Sequence, residues 1–153
     1  MGLIQKMLLF WSVFLVFIVI GEKLRTTEQA PILLPINTPI TSIELPHNLT
    51  LTHQNNHWQA NQQPANQLRI QTLLTLLQQP CQQRYSRHEL SAQLSDNSAL
   101  TFLINAQEYT IGAHHPFSQT NYIYYQEDVY LCSEKIKYFI NQPIDYWVET
   151  KGK

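Results

Sequence analysis

Glycine is nearly missing from this chain. Gly2, Gly21, Gly112 and Gly152 are the only four in 153 residues, which leaves no glycine-rich loop to cradle a phosphate. Positive charge is not in excess either. Ten Lys/Arg stand against eleven Asp/Glu with no basic stripe, so nucleic-acid binding has no electrostatic footprint. No G-x-S-x-G motif occurs, and neither cysteine has a histidine near it in sequence, so the usual signatures of nucleophilic catalysis are lacking. No self-similarity at a period of about 20–50 residues is visible, which excludes a repeat array.

What the chain does have is an apolar run, Met7 to Ile20, in which Ser12 is the only polar residue. As a helix these fourteen residues rise about 21 Å, short of a hydrocarbon core of roughly 30 Å. Leu3, Ile4, Gly21 and Leu24 lengthen the stretch to roughly 33 Å if Lys6 and Lys23 snorkel outward. A cleaved signal peptide is the rival reading, but its cleavage site would be Val19-Ile20-Gly21, a poor match to A-x-A. A buried core helix is the third. The retained anchor over residues 1–21 is the expectation. Lys/Arg counts on the two sides are nearly balanced and barely orient it. The tail before the run is short, so the bulk of the chain is expected outside the cytoplasm, in the periplasm.

Beyond the anchor, nine Lys/Arg face eleven Asp/Glu, and about 130 residues suffice for one domain with one core. Asn and Gln together number twenty-seven, more than all charged residues, and are spread rather than clustered. That distribution reads as an amide-rich surface and not a prion-like tract. The two cysteines, Cys81 and Cys132, pair as one disulfide in an oxidising compartment or sit apart as buried thiols, and the sequence leaves both open.

In chain order, residues 22–39 read as a stalk, because Pro31, Pro35 and Pro39 disallow helix and favour an extended path. The domain is expected over 40–150. Ser42–Leu45 alternates as a half-buried strand, and Leu49–His53 with His57–Ala60 forms a hairpin around Gln54-Asn55-Asn56. Ile70, Leu73, Leu74 and Leu77 stripe one face of a helix expected over Pro64–Gln79. Cys81–Tyr85 reads as a short strand, and Ser86 with Glu89 forms a capping box opening a brief helix to Leu94. Leu100, Phe102 and Ile104 return to a period of two, as do Tyr109 and Ile111 after a turn at Asn105-Ala106. Tyr122–Tyr125 and Val129–Cys132 make another pair, and Ser133 caps a helix bearing Ile136, Phe139 and Ile140. Strands interrupted by two or three helices predict an α+β class with a mainly antiparallel sheet.

Histidines offer little for a metal. His53 and His57 lie across a turn, with His47 nearby, and the adjacent His114 and His115 point opposite ways in an extended chain. Neither group has supporting acids or thiols at ligand spacing, so polar loop histidines are the expectation. No catalytic residue, cofactor or metal is expected, and the protein is not read as an enzyme. The remaining cluster is aromatic. Tyr122 and Tyr124 share one side of their strand and Ile123 the other. Together with Tyr130 on the paired strand they are candidates for an outward interface, against the plainer reading of sheet packing.

The order of these parts resembles one family. A membrane anchor precedes Ser42–Leu45, then His57-Trp58-Gln59, the leucine-rich helix over Leu68–Leu77, Thr110-Ile111-Gly112, Tyr122-Ile123-Tyr124 and Val129-Tyr130-Leu131. This arrangement is similar to the domain of unknown function 4340 family (DUF4340), membrane-anchored proteins of Gram-negative bacteria, across Ile40 to Trp147. The chain departs from it at Ala92-Gln93-Leu94-Ser95, where members place a Gly-Leu and a Pro. Some members are encoded beside ABC-type exporters and gliding-motility components. The resemblance implies a single-pass inner-membrane protein with a periplasmic accessory or interaction module, a protein partner in the envelope and no inherited catalytic residues. A periplasmic ligand-binding module is the alternative, and a hydrolase a more distant one.

Overall fold

Two-residue turns set the architecture of this domain, and asparagine takes the place that glycine usually holds in them. The computed structural model describes residues 2, 30–90 and 99–149. The expected anchor, the first part of the expected stalk and the end of the brief helix toward Leu94 lie outside the described residues. Among the described residues no helix is long and apolar enough to cross a membrane.

The strands are β1 Ser42–Leu45, β2 Leu49–Gln54, β3 His57–Ala60, β4 Gln63–Pro64, β5 Gln83–Ser86, β6 Leu100–Ile104, β7 Gln107–His114, β8 Thr120–Tyr125 and β9 Asp128–Ser133. Residues 55–56, 61–62 and 105–106 join successive strands with positive φ at both positions, and so do 47–48, which follow Pro46 in the three-residue β1–β2 connection. That is the type I′ geometry, whose twist matches that of the flanking strands. Asn occupies five of those eight positions because its short polar side chain tolerates the left-handed region. Gln126 alone has positive φ in the β8–β9 turn.

All nine strands form one sheet in the order β4-β3-β2-β1-β6-β7-β8-β9-β5, with every neighbouring pair antiparallel. Helices α1 Gln67–Gln78, α2 Lys135–Ile140 and α3 Ile144–Trp147 complete the domain. Ile43, Leu51, Phe102, Ile104, Tyr109, Ile111 and Ile123 point to one side of the sheet, where they bury with Ile70, Leu73 and Leu77 of α1, Ile136 and Ile140 of α2, and Trp147. The class is α+β with a mainly antiparallel sheet and three helices, as the alternation predicts. Arg69 ties α1 to α3, donating to the Tyr146 carbonyl with its guanidinium 4.3 Å from the Tyr146 ring centroid.

Local boundaries differ from the sequence reading in three places. Asn66 caps α1 by accepting from the Arg69 amide at 3.2 Å. The helix therefore starts at Gln67, and Pro64 belongs to β4, an edge strand where its missing N–H is harmless. Ser133 ends β9 and Glu134 takes the cap position of α2. The brief helix after β5 is a 3-10 turn, Arg87–Glu89, in which Glu89 accepts from the Ser86 amide at 3.2 Å.

The largest correction concerns the stalk. The domain begins at Pro31, not Ile40. Leu34 is buried, and Ile32 pairs with Cys81 in an antiparallel bridge. The Tyr109 hydroxyl donates to the Pro35 carbonyl at 2.9 Å, and the Asn105 amide donates to the carbonyls of Asn37 and Pro39 at 3.0 and 2.9 Å. Prolines every four residues forbid a helix, but they leave carbonyls to accept and apolar residues between them to bury. An extended path therefore docks here. Cys81 and Cys132 are joined, with Cα atoms 4.3 Å apart. Both are buried, so the bond fastens the end of this docked segment to β9.

Candidate functional site

The sheet has two sides, and each collects a distinct set of polar or aromatic groups near the β7–β8 end. The outer side carries the tyrosines. Tyr122 stands opposite Leu131, and Tyr124 opposite Val129 on β9 and Thr110 on β7. Both rings are half-buried, on the side away from Ile123, which is fully buried.

Tyr130 does not join them. Its register partner is Ile123, so it faces the helices and is buried at 4% exposure. Alternation is the reason: residues directly opposite on paired strands share a face, and Tyr130 is opposite the core marker of β8. Burial, with Asp128 adding to it, holds the Tyr130 phenol above its ordinary range while Arg84 pulls it back. Tyr125 likewise turns inward, stacking on Tyr109 with centroids 4.8 Å apart, and Tyr109 stacks on Phe102 at 5.3 Å.

The outer patch gains other aromatics instead. His115 lies 5.7 Å from Tyr122 and 6.1 Å from Phe117, whose ring is 91% exposed at the loop tip. Burial and the nearby Tyr85 raise the Tyr122 phenol. The patch is not bare throughout: the Arg87 guanidinium stands 5.8 Å from the Tyr124 ring centroid. Gly112 makes room for that ring, since a Cβ there would sit 2.7 Å from Tyr124 Cε2. The close approach is what requires glycine at this position.

His115 Nδ1 accepts from the Phe117 amide at 3.3 Å and meets Ser118 Oγ at 2.9 Å, with Ser118 Oγ 2.6 Å from Thr120 Oγ1. A serine beside a histidine has the outline of an activated nucleophile. Here both contacts converge on one ring nitrogen, and no described carboxylate meets the other. The arrangement braces the loop that carries Phe117.

The helix side holds a cleft of about 530 Å³ lined by His114, Asn121, Glu134, Lys135, Lys137 and Tyr138. It exists because β7 carries a bulge. Ile111 pairs with Ile123 and His114 with Asn121, three steps on one strand for two on the other. The extra residue brings His114 to the same side as Ile111 and beside Asn121. Lys137 Nζ caps the Gly112 carbonyl within the bulge at 3.1 Å. Glu134, whose amide donates to Gln119 at 3.1 Å, places Oε2 2.9 Å from His114 Nε2. Both side chains of that pair are about half exposed, so its contribution to stability is under about 1 kcal/mol.

Of the histidines singled out in the sequence, only His114 enters this cleft. His53 lies tilted against Trp58 with ring centroids 5.2 Å apart, and His47 sits in the β1–β2 turn. Among the described residues no group of three or more His, Cys, Asp or Glu is placed to hold a metal. Asn121 and Glu134 went unremarked in the sequence, where the bulge that joins them to His114 leaves no signature. Comparison with protein-family models, curated proteins and solved structures returned no match for this chain.

Proposed function

We propose that this protein is a single-pass bacterial inner-membrane protein with a periplasmic, non-enzymatic module that docks a protein partner in the envelope. The observation that carries the docking role is the outer aromatic face, where Phe117, His115 and Tyr122 adjoin on an otherwise amide-rich surface. Aromatic rings offer large contact area at low entropic cost and are enriched at the energetic centres of interfaces. The buried Cys81–Cys132 bond supports placement in an oxidising compartment, and the Met7–Ile20 run supports an anchor. The order of parts resembling the domain of unknown function 4340 family points the same way.

Two measurements test this reading. The mature protein retains Met1–Gly21 and resists alkaline carbonate extraction; a mature N-terminus at Glu22 ends the anchor. Phe117→Ser and Tyr122→Ser then separate docking from packing. Both variants lose the partner recovered from cross-linked membranes while their melting temperatures stay close to the parent. Unchanged recovery, or a melting temperature that collapses with Tyr122→Ser, sinks the docking role.

A further inference from the structure

The turn that carries Phe117 is closed on one imidazole nitrogen. Between β7 and β8 the His115 amide donates to the Thr120 carbonyl at 2.8 Å, and the Ser118 amide to the His115 carbonyl at 3.4 Å. Inside that turn the Phe117 amide donates to His115 Nδ1 at 3.3 Å. A backbone N–H can only donate, so the ring in this arrangement is neutral and carries its proton on Nε2. Ser118 Oγ stands 2.9 Å from the same Nδ1 and 2.6 Å from Thr120 Oγ1. These three groups form a chain that can run in either direction. With a neutral ring, the Thr120 hydroxyl donates to Ser118 and Ser118 to Nδ1. With a charged ring, Nδ1–H donates to Ser118, and Ser118 turns its proton to Thr120. Only the Phe117 amide has no such reversal, because two N–H groups then face each other.

Histidine is the side chain whose charge ordinarily changes between about pH 5 and 8. Few groups from other elements face this one. Tyr122 of β8 meets the ring at 5.7 Å, Tyr85 of β5 lies near Tyr122, and Arg87 stands over Tyr124 on the same side. His114 points to the opposite side and pairs with Glu134. Among the described residues no Asp, Glu, Lys or Arg forms an ion pair with His115.

We propose that protonation of His115 is a switch that loosens the Phe117 turn and so releases the outer aromatic face in acid. Ser118 and Thr120 accommodate the new proton, while the Phe117 amide loses its acceptor and the exposed ring its fixed position. Release of a partner rests on the docking role proposed above; loosening of the turn does not.

The test is nuclear magnetic resonance of the full-length, isotope-labelled chain in detergent, titrated from about pH 8 to about pH 5. As the His115 ring charges, protection of the Phe117 amide from exchange, relative to an unfolded chain at the same pH, falls about tenfold or more. His115→Asn, whose side-chain oxygen accepts but does not titrate, holds that protection constant. Ser118→Ala removes the acceptor of a charge-assisted bond and lowers the pH at which the ring charges. The switch is overturned by a ring that stays neutral to about pH 5, or by Phe117 protection that is unchanged as the ring charges. An equal loss in His115→Asn, or an unmoved midpoint in Ser118→Ala, overturns it as well. None of these readouts needs a partner. Partner recovery from cross-linked membranes then falls about tenfold between about pH 8 and about pH 5, and equal recovery at both overturns the release. No recovery at either pH is the failure of the docking role, not of the switch in the turn.

Discussion

Asn105 shows how much one side chain does in this protein. Its backbone takes positive φ in the β6–β7 turn, its Oδ1 accepts from the Thr41 and Ser42 amides at 2.9 and 3.2 Å, and its Nδ2 holds the docked N-terminal segment. Asn61 works similarly between Thr50 and Asn48. The amide richness that reads in the sequence as a surface style is thus partly structural glue. Gly112 is the opposite case, a residue whose value is what it lacks. Gly112→Ala would press a methyl group onto the Tyr124 ring and is expected to destabilise the domain by about 1–3 kcal/mol. A denaturant melt checks it, and the loss should shrink when Tyr124→Leu is present, since the two positions then no longer collide. Tyr109 carries a pH signature. Burial, with Tyr125 and Tyr130 adding to it, pushes its phenol up to about 12 from an ordinary 10.0. Below pH 10 both folded and unfolded chains keep the proton. Between pH 10 and about 12 only the unfolded chain releases it, so stability falls across that window. Urea melts at stepped alkaline pH should show that fall, and Tyr109→Phe should lessen it, leaving the smaller part that comes from the raised Tyr122 and Tyr130 phenols.

Among the elements, the β6–β7 hairpin is the one whose turn chemistry is least settled. Ala106 sits at φ 63° with no side-chain atom able to compensate, unlike Asn105 before it. A left-handed conformation costs an ordinary residue roughly 1–2 kcal/mol, whereas glycine adopts it freely. Ala106→Gly is therefore expected to stabilise the domain by about 0.5–1 kcal/mol, and Ala106→Val to destabilise it. Thermal melts of the two variants should move in opposite directions. The β7 bulge is the other consequential element, since one extra residue puts His114 beside Asn121 and creates the cleft. Alternating hydrophobicity identifies β7 as a strand, but a period of two carries no mark of where one partner slips by a residue.

Across the whole molecule, the Cys81–Cys132 bond links positions 51 residues apart. Removing it with Cys81→Ala and Cys132→Ala is expected to cost about 4 kcal/mol on the chain-entropy estimate. A shift in the urea midpoint, reproduced by reductant on the parent once unfolded, checks this. The loss should be largest for contacts of residues 31–39, because Cys81 also pairs with Ile32. Amide exchange at Ile36, whose N–H bonds Leu34, reports on that segment.

Local pattern alone determined most of the elements here. Leu100, Phe102 and Ile104 alternate, Ile70, Leu73 and Leu77 stripe a helix, and Asn48, Asn55, Asn56, Asn61 and Asn105 punctuate the turns. These are short-range effects of side-chain period and backbone sterics, so they are written in neighbouring residues. Tertiary structure alone decided what depends on register and long-range contact. It turned Tyr130 inward against Ile123, docked Pro31–Pro39 through Tyr109 and Asn105, and gathered His114, Asn121 and Glu134 around one cleft. Each of these joins residues that are distant in sequence, or hangs on a one-residue offset between strands, and a pattern read along a single stretch of chain contains neither.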